Sequence, residues 1–152
     1  EDHGSKAPPT LFEMRSLAWQ SIVGGANGLV FFSFGRLYNK INGHSFETRW
    51  PDVKAMGEEV KRYIPAMLSV EKVQSASTGN DSVPVRTWRY EGRTYLLVVN
   101  AQKSKKRFDG AIAVEGGFGK VGTGFGPKPT KADSGQLYVS LAPYEPAMYI
   151  LD

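Results

Sequence analysis

The sequence predicts an α+β chain in which a helix–strand–helix unit precedes an antiparallel β-sandwich. Two features predict the first unit. Apolar residues recur at helical spacing over two stretches, and a short continuous apolar run lies between them. The third observation is a change of period after Ser69, where several short strand patterns with close turn signals begin. The boundary between residues 1–69 and 70–152 is placed there.

The first helix is expected from Thr10. Pro8-Pro9 ends an extended, non-periodic leader, and Thr10 with Glu13 forms a Thr-x-x-Glu capping box. Leu11, Met14, Leu17, Ala18, Ser21 and Ile22 follow on one face, and Gly24-Gly25 stops the helix. Gly28 to Phe34 then reads Gly-Leu-Val-Phe-Phe-Ser-Phe. Leu29 to Phe32 are apolar in succession, which suits a parallel strand covered on both faces. Periodicity alone leaves a buried helix open. Length, the phenylalanines and the flanking Gly28 and Gly35 favour strand.

A long loop from Gly35 to Trp50 is expected next, rich in aromatic and charged residues. Such loops are functional or disordered, and this composition argues against disorder. Pro51 then opens a second helix, with Val53, Met56, Val60, Ile64 and Met67 on its stripe and Pro65 kinking its last turn. Strands are expected at 70–76, 83–90, 94–101, 107–114, 118–123, 136–141 and 148–151. Glu91-Gly92 and Gly116-Gly117 are the turns, and 122–133 is a surface loop. Leu96-Leu97-Val98-Val99 marks a central strand.

Composition narrows the function classes. The chain has 152 residues, 41% hydrophobic and 22% charged, enough for one ordinary domain or two small ones. No run approaches the ~18 apolar residues of a membrane span. No leader of signal-peptide type opens the chain, as would also hold for a processed or truncated one. The absence of cysteine excludes a disulfide scaffold and a thiolate metal site. The net charge of +4 is scattered, apart from Lys103, Lys105, Lys106 and Arg107. That cluster reads as a solvated hairpin loop rather than a nucleic-acid patch.

Taken together, Pro8-Pro9-Thr10-x-x-Glu13-Met14-Arg15, Gly24-Gly25-Ala26-x-Gly28 and Phe31-Phe32-Ser33-Phe34 carry a family likeness. The chain resembles the end of a bacterial (β/α)8-barrel glycoside hydrolase of the β-galactosidase and agarase kinds. The Val139–Leu151 ending looks like the last strands of the β-sandwich domain that commonly follows such barrels. The resemblance implies that residues 1–69 are helix seven, strand eight and helix eight of a TIM-type barrel. It implies glycosidase chemistry on an oligo- or polysaccharide, no cofactor, and a periplasmic or extracellular location. The partners implied are carbohydrate and the remainder of the barrel or another protein chain, with no nucleic acid.

The sequence departs from that family where chemistry matters. Glycoside hydrolysis uses two carboxylates flanking the bond. In such barrels they sit on strands four and seven, for which this sequence holds no counterpart. Glu1 and Asp2 would fall just after strand seven, without a strand before them. The catalytic residues are therefore unassigned, and the chain is expected to be inert alone. A metal site is not expected, because His44 has no second histidine at ligand spacing.

Barrel sites gather at the C-terminal ends of strands, which selects Arg36, Tyr38, Glu47 and Trp50 as candidate substrate-binding residues. Rings stack on sugar faces and guanidinium groups bind hydroxyls. The competing readings are packing of Tyr38 and Trp50 on the barrel rim, an Arg36 ion pair with Glu47 or Asp52, and simple solvation of Glu47. Trp88 and Tyr90 share a strand face and form either a small sugar platform or core. Trp19 is expected between helices. The alternative function is a non-catalytic carbohydrate-binding or protein-interaction sandwich module. Residues 1–69 are expected to need cover from the rest of the barrel, a second chain or the sandwich, because a lone apolar strand has two bare edges.

Overall fold

The capping box forms as its spacing requires. In the computed structural model, which describes residues 9–31, 45–102 and 106–152, the Thr10 amide donates to Glu13 Oε2 at 2.7 Å. The Glu13 amide donates to Thr10 Oγ1 at 3.2 Å in return. Helix α1 spans Leu11–Val23 and ends at Gly24, and Gly25 takes a left-handed φ of 106°.

Helix α2 spans Phe46–Met67. It starts five residues before Pro51, because the Ser45 amide donates to Thr48 Oγ1 at 3.0 Å and so satisfies a free donor at the helix start. The expected loop to Trp50 is therefore helical over its last five residues, Phe46 to Trp50, and the stretch 35–44 lies outside the described residues. Pro65 does not end the helix. Tyr63 and Ala66 on either side of it are buried against the sheet and hold the turn in place.

The strand expected over 29–34 is not seen in its described part. Leu29, Val30 and Phe31 have no strand partner, and Val30 is 96% exposed. A parallel strand needs a neighbour, and every pairing among the described strands is antiparallel. Residues 32–34 lie outside the described residues.

Among the described residues eight strands follow: β1 Ala76–Ser77, β2 Val85–Tyr90, β3 Arg93–Val99, β4 Phe108–Val114, β5 Val121–Phe125, β6 Lys131–Asp133, β7 Gln136–Leu141 and β8 Pro146–Leu151. They form two sheets ordered β1-β4-β7-β6 and β2-β3-β8-β5. Glu91 and Gly92 both have positive φ, 52° and 75°, which gives the tight two-residue turn between β2 and β3. Most of the stretch expected as a strand over 70–76 is unpaired. There the Gln74 side chain replaces a ladder, donating to the Glu115 and Gly117 carbonyls and accepting from Thr94 Oγ1. The expected surface loop 122–133 contains all of β5 except its first residue, and the whole of β6, an exposed three-residue edge strand.

The sheets face each other across Leu96, Val98, Ile112, Leu137, Val139, Leu141 and Tyr149. The far side of the β2-β3-β8-β5 sheet is covered by the two helices, through Trp19, Ile22, Tyr63 and Ala66 against Trp88, Leu97, Val99 and Met148. This explains the unbroken Leu96–Val99 run. Alternate residues of β3 go to opposite faces, and both faces are buried. The architecture is α+β, a two-sheet sandwich with a helical layer on one sheet.

Candidate functional site

The helical layer is fixed to its sheet by rings and a few polar bonds. Trp19 is fully buried, 4.8 Å from the Phe125 ring and 5.9 Å from Tyr63, the latter edge-on. Its indole donates to Glu59 Oε1 at 2.7 Å, and Arg15 Nε donates to the same oxygen at 2.7 Å. Arg15 also lies over the Phe125 ring, at 4.7 Å. One carboxylate on α2 thus holds two side chains of α1. Ser16 Oγ donates to the Tyr144 carbonyl at 2.6 Å, and Arg86 Nη1 donates to the Ile22 carbonyl at 3.2 Å. Burial raises the pKa of the Tyr63 hydroxyl, the neighbouring Arg62 opposing it. Burial also drives the Tyr149 hydroxyl well above the usual phenol value, helped by the Glu145 carboxylate. That hydroxyl donates to the Pro127 carbonyl at 3.0 Å, tying β8 to the loop after β5.

Of the sequence-selected residues, Arg36 and Tyr38 lie outside the described residues. Glu47 and Trp50 stand in the first turns of α2. Trp50 is 40% exposed and stacks on Phe46, with ring centroids 5.5 Å apart and planes 14° from parallel. This is the (i, i+4) neighbour relation of a helix, and it leaves part of the indole at the surface. Trp88 and Tyr90 are not a surface platform. Trp88 is buried beneath the helices and Tyr90 packs at the edge of the same cluster. The two residues face the helical layer as members of its core.

Several carboxylates have structural partners: Glu13 in its cap, Glu59 between Arg15 and Trp19, Glu71 with Arg89, Asp133 with Lys131 and Asp152 with Arg93. Glu145 receives the Ala142 amide at 2.7 Å. Among the described residues no group of three or more metal-ligating side chains converges. No helix among them is long and apolar enough to cross a membrane.

Sequence reasoning missed a cavity of about 470 Å³ between α2, the end of α1 and the 26–31 segment. Its floor includes the buried side chains Ile22, Met56 and Trp88, and Arg86 and Lys61 bring positive charge to it. One signal was available. Arg86 alternates with Trp88 and Tyr90 on β2, so a cation sits on the face that the rings bury.

No family model matches the chain, and no curated protein or solved structure matches it.

Proposed function

We propose that the chain is the C-terminal part of a carbohydrate-active glycoside hydrolase, not catalytic alone. On this reading it supplies the last βα portion of a (β/α)8 barrel and the appended β-sandwich. The observation that carries it is the one-sidedness of the helical layer. The helices bury one face on the sheet and leave Phe12, Leu17, Leu68 and the following Val70 exposed, and Val30 is almost wholly so. Large apolar side chains in such number mark a surface meant for cover. Neighbouring βα units would supply that cover. Among the described residues, none of the backbone groups of Leu29, Val30 or Phe31 makes a hydrogen bond, as expected of a barrel strand lacking its neighbours.

The resemblance in the Thr10–Arg15, Gly24–Gly28 and Phe31–Phe34 motifs supports the same reading. Arg36, Tyr38, Glu47 and Trp50 would then lie around the substrate, with Trp50 offering a ring face to a sugar. The carboxylate pair would come from strands four and seven of the same barrel.

The test is direct. The source reading frame upstream of residue 1 should encode seven further βα repeats. The full-length product should hydrolyse an aryl-glycoside or polysaccharide substrate that the 152-residue chain leaves untouched. A start codon or an unrelated domain directly upstream rejects the reading. The same exposed apolar face favours a second one, a non-catalytic sandwich module docked on another protein chain. That reading requires stable complex formation without the repeats.

A further inference from the structure

The cavity beside α2 joins apolar walls to two cationic side chains. It holds about 470 Å³, within the range of small-molecule sites, and apolar side chains form most of its wall. Among the described residues its charged lining is Lys61 and Arg86, with no acidic side chain. Arg86 is only partly exposed. One guanidinium nitrogen donates to the Ile22 carbonyl and the group lies 5.4 Å from the Trp88 ring centre. Among the described residues neither Arg86 nor Lys61 has a carboxylate within ion-pair distance.

A half-buried guanidinium bonded to one carbonyl keeps further N–H donors in a fixed fork. That fork matches a carboxylate. An apolar chamber alone would take any oily molecule. The two cations select an anion, and the apolar walls select one with a hydrocarbon body.

We propose that this cavity binds an amphiphilic carboxylate of the alkyl-carboxylic-acid class. The carboxylate pairs with Arg86 and is reached by Lys61, while the alkyl chain lies along Met56, Val60 and Ile64. Leu68 and the 28–31 segment also belong to the face read above as awaiting cover, so the site is tested on the 152-residue chain by ligand binding and not by hydrolysis.

Gly57 provides a clean way to close it. It lines the cavity, and a Cβ built there meets nothing within 4 Å. Gly57→Phe therefore adds a ring to the open space without displacing backbone. The experiment is calorimetric titration of the 152-residue chain with octanoate, kept below its micelle threshold, and with 1-octanol as the uncharged probe.

Octanoate should bind one per chain and saturably, with octanol at least about tenfold weaker. Arg86→Gln should weaken octanoate by about tenfold and leave octanol unchanged, with Lys61→Gln showing a smaller loss. Gly57→Phe should abolish binding of both at an unchanged thermal midpoint. If Arg86→Gln fails to fold, Lys61→Gln and Gly57→Phe carry the test. The proposal is overturned by absent saturation, by equal affinity for octanol, or by binding that survives Gly57→Phe.

Discussion

The two cores on either side of the β2-β3-β8-β5 sheet are built from different materials. Between the sheets the contacts are mainly aliphatic: Val83, Leu96, Val98, Ile112, Val114, Leu137, Val139 and Leu141. Between sheet and helices they are rich in rings: Trp19, Tyr63 and Trp88, with Tyr95 and Phe125 at the margin. Short branched side chains fill the space between two pleated faces of fixed spacing. A helix meets a sheet less regularly, and large rings packed edge to face bridge the gap. The aliphatic core is closed by strand ladders. The aromatic one is closed by single polar bonds, from Trp19 and Arg15 to Glu59 and from Ser16 to Tyr144. One layer is thus held by many equivalent contacts and the other by a few singular ones.

Removing the helical layer altogether should give the largest effect. Residues 70–152 expressed alone should keep a cooperative transition, because the inter-sheet core is intact. Trp88, Leu97, Val99 and Met148 would become an exposed apolar face, so the fragment should self-associate and melt at a lower temperature. Light scattering and calorimetry check this. A monomer melting at the full chain's temperature would mean that the helices contribute nothing to the sandwich.

Trp19→Ala should be the most damaging single change in the helical layer. The side chain is fully buried among rings, so its loss should cost about 3–5 kcal/mol by transfer and cavity terms. Chemical denaturation gives the magnitude. Hydrogen exchange tells the cores apart, since α1 and α2 amides should lose protection while β4 and β7 keep theirs. Uniform loss would show that the two cores unfold as one.

Asn100 is the counterpart on the sandwich side. It is fully buried, and its Nδ2 donates toward the Lys106, Leu141 and Ala142 carbonyls at 2.8, 3.1 and 3.1 Å. One amide thus joins the end of β3 to the start of β4 and the β7–β8 turn. Asn100→Leu leaves those carbonyls without this donor and should cost about 1–3 kcal/mol. Protection should fall first at β4 and β7, the reverse of the Trp19 pattern. Glu59→Gln should cost less, about 1 kcal/mol, because Arg15 and Glu59 side chains are both 23% exposed and water screens their attraction.

The elements differ in how far the sequence revealed them. The first helix was legible through its capping box, the β2–β3 hairpin through Glu91-Gly92, and the central place of β3 through its unbroken apolar run. Each depends on neighbours in sequence or on simple alternation. Strand β6 was not legible, because Lys131-Ala132-Asp133 is short, polar and exposed, and only its pairing with β7 makes it a strand. The start of α2 was misplaced because proline at a first helical position is a strong signal, while the Thr48 cap that begins it earlier is a weak one. The cavity was illegible for another reason. It joins α2, β2 and the 26–31 segment, a juxtaposition that no local pattern encodes. Trp50 was legible as a candidate, but its stacking on Phe46 needed the helix to be known first.

The smallest expected effect separates the helix start from both cores. Glu13 is fully exposed, yet its pKa is held below the usual value of 4.5, first by the Thr10 amide and second by the Thr10 hydroxyl, both donating to its carboxylate. A carboxyl depressed in the folded state contributes stability that is fully present above the unfolded value. That contribution is lost as pH falls through the lower, folded value. The gain from the wild-type cap over Glu13→Gln should therefore be constant from neutral pH down to about 4.5 and shrink below it. Thermal midpoints of the two proteins across that range measure the difference, with other carboxylates cancelling between them. Hydrogen exchange at the start of α1 should change in parallel, while Trp19 fluorescence stays constant, since the rings of the helical core do not depend on the cap. No difference between the two proteins at any pH would show that the Thr10 hydroxyl, which accepts from the residue-13 amide in both, carries the cap without the ionised Glu13. The capping box would then be a one-way bond.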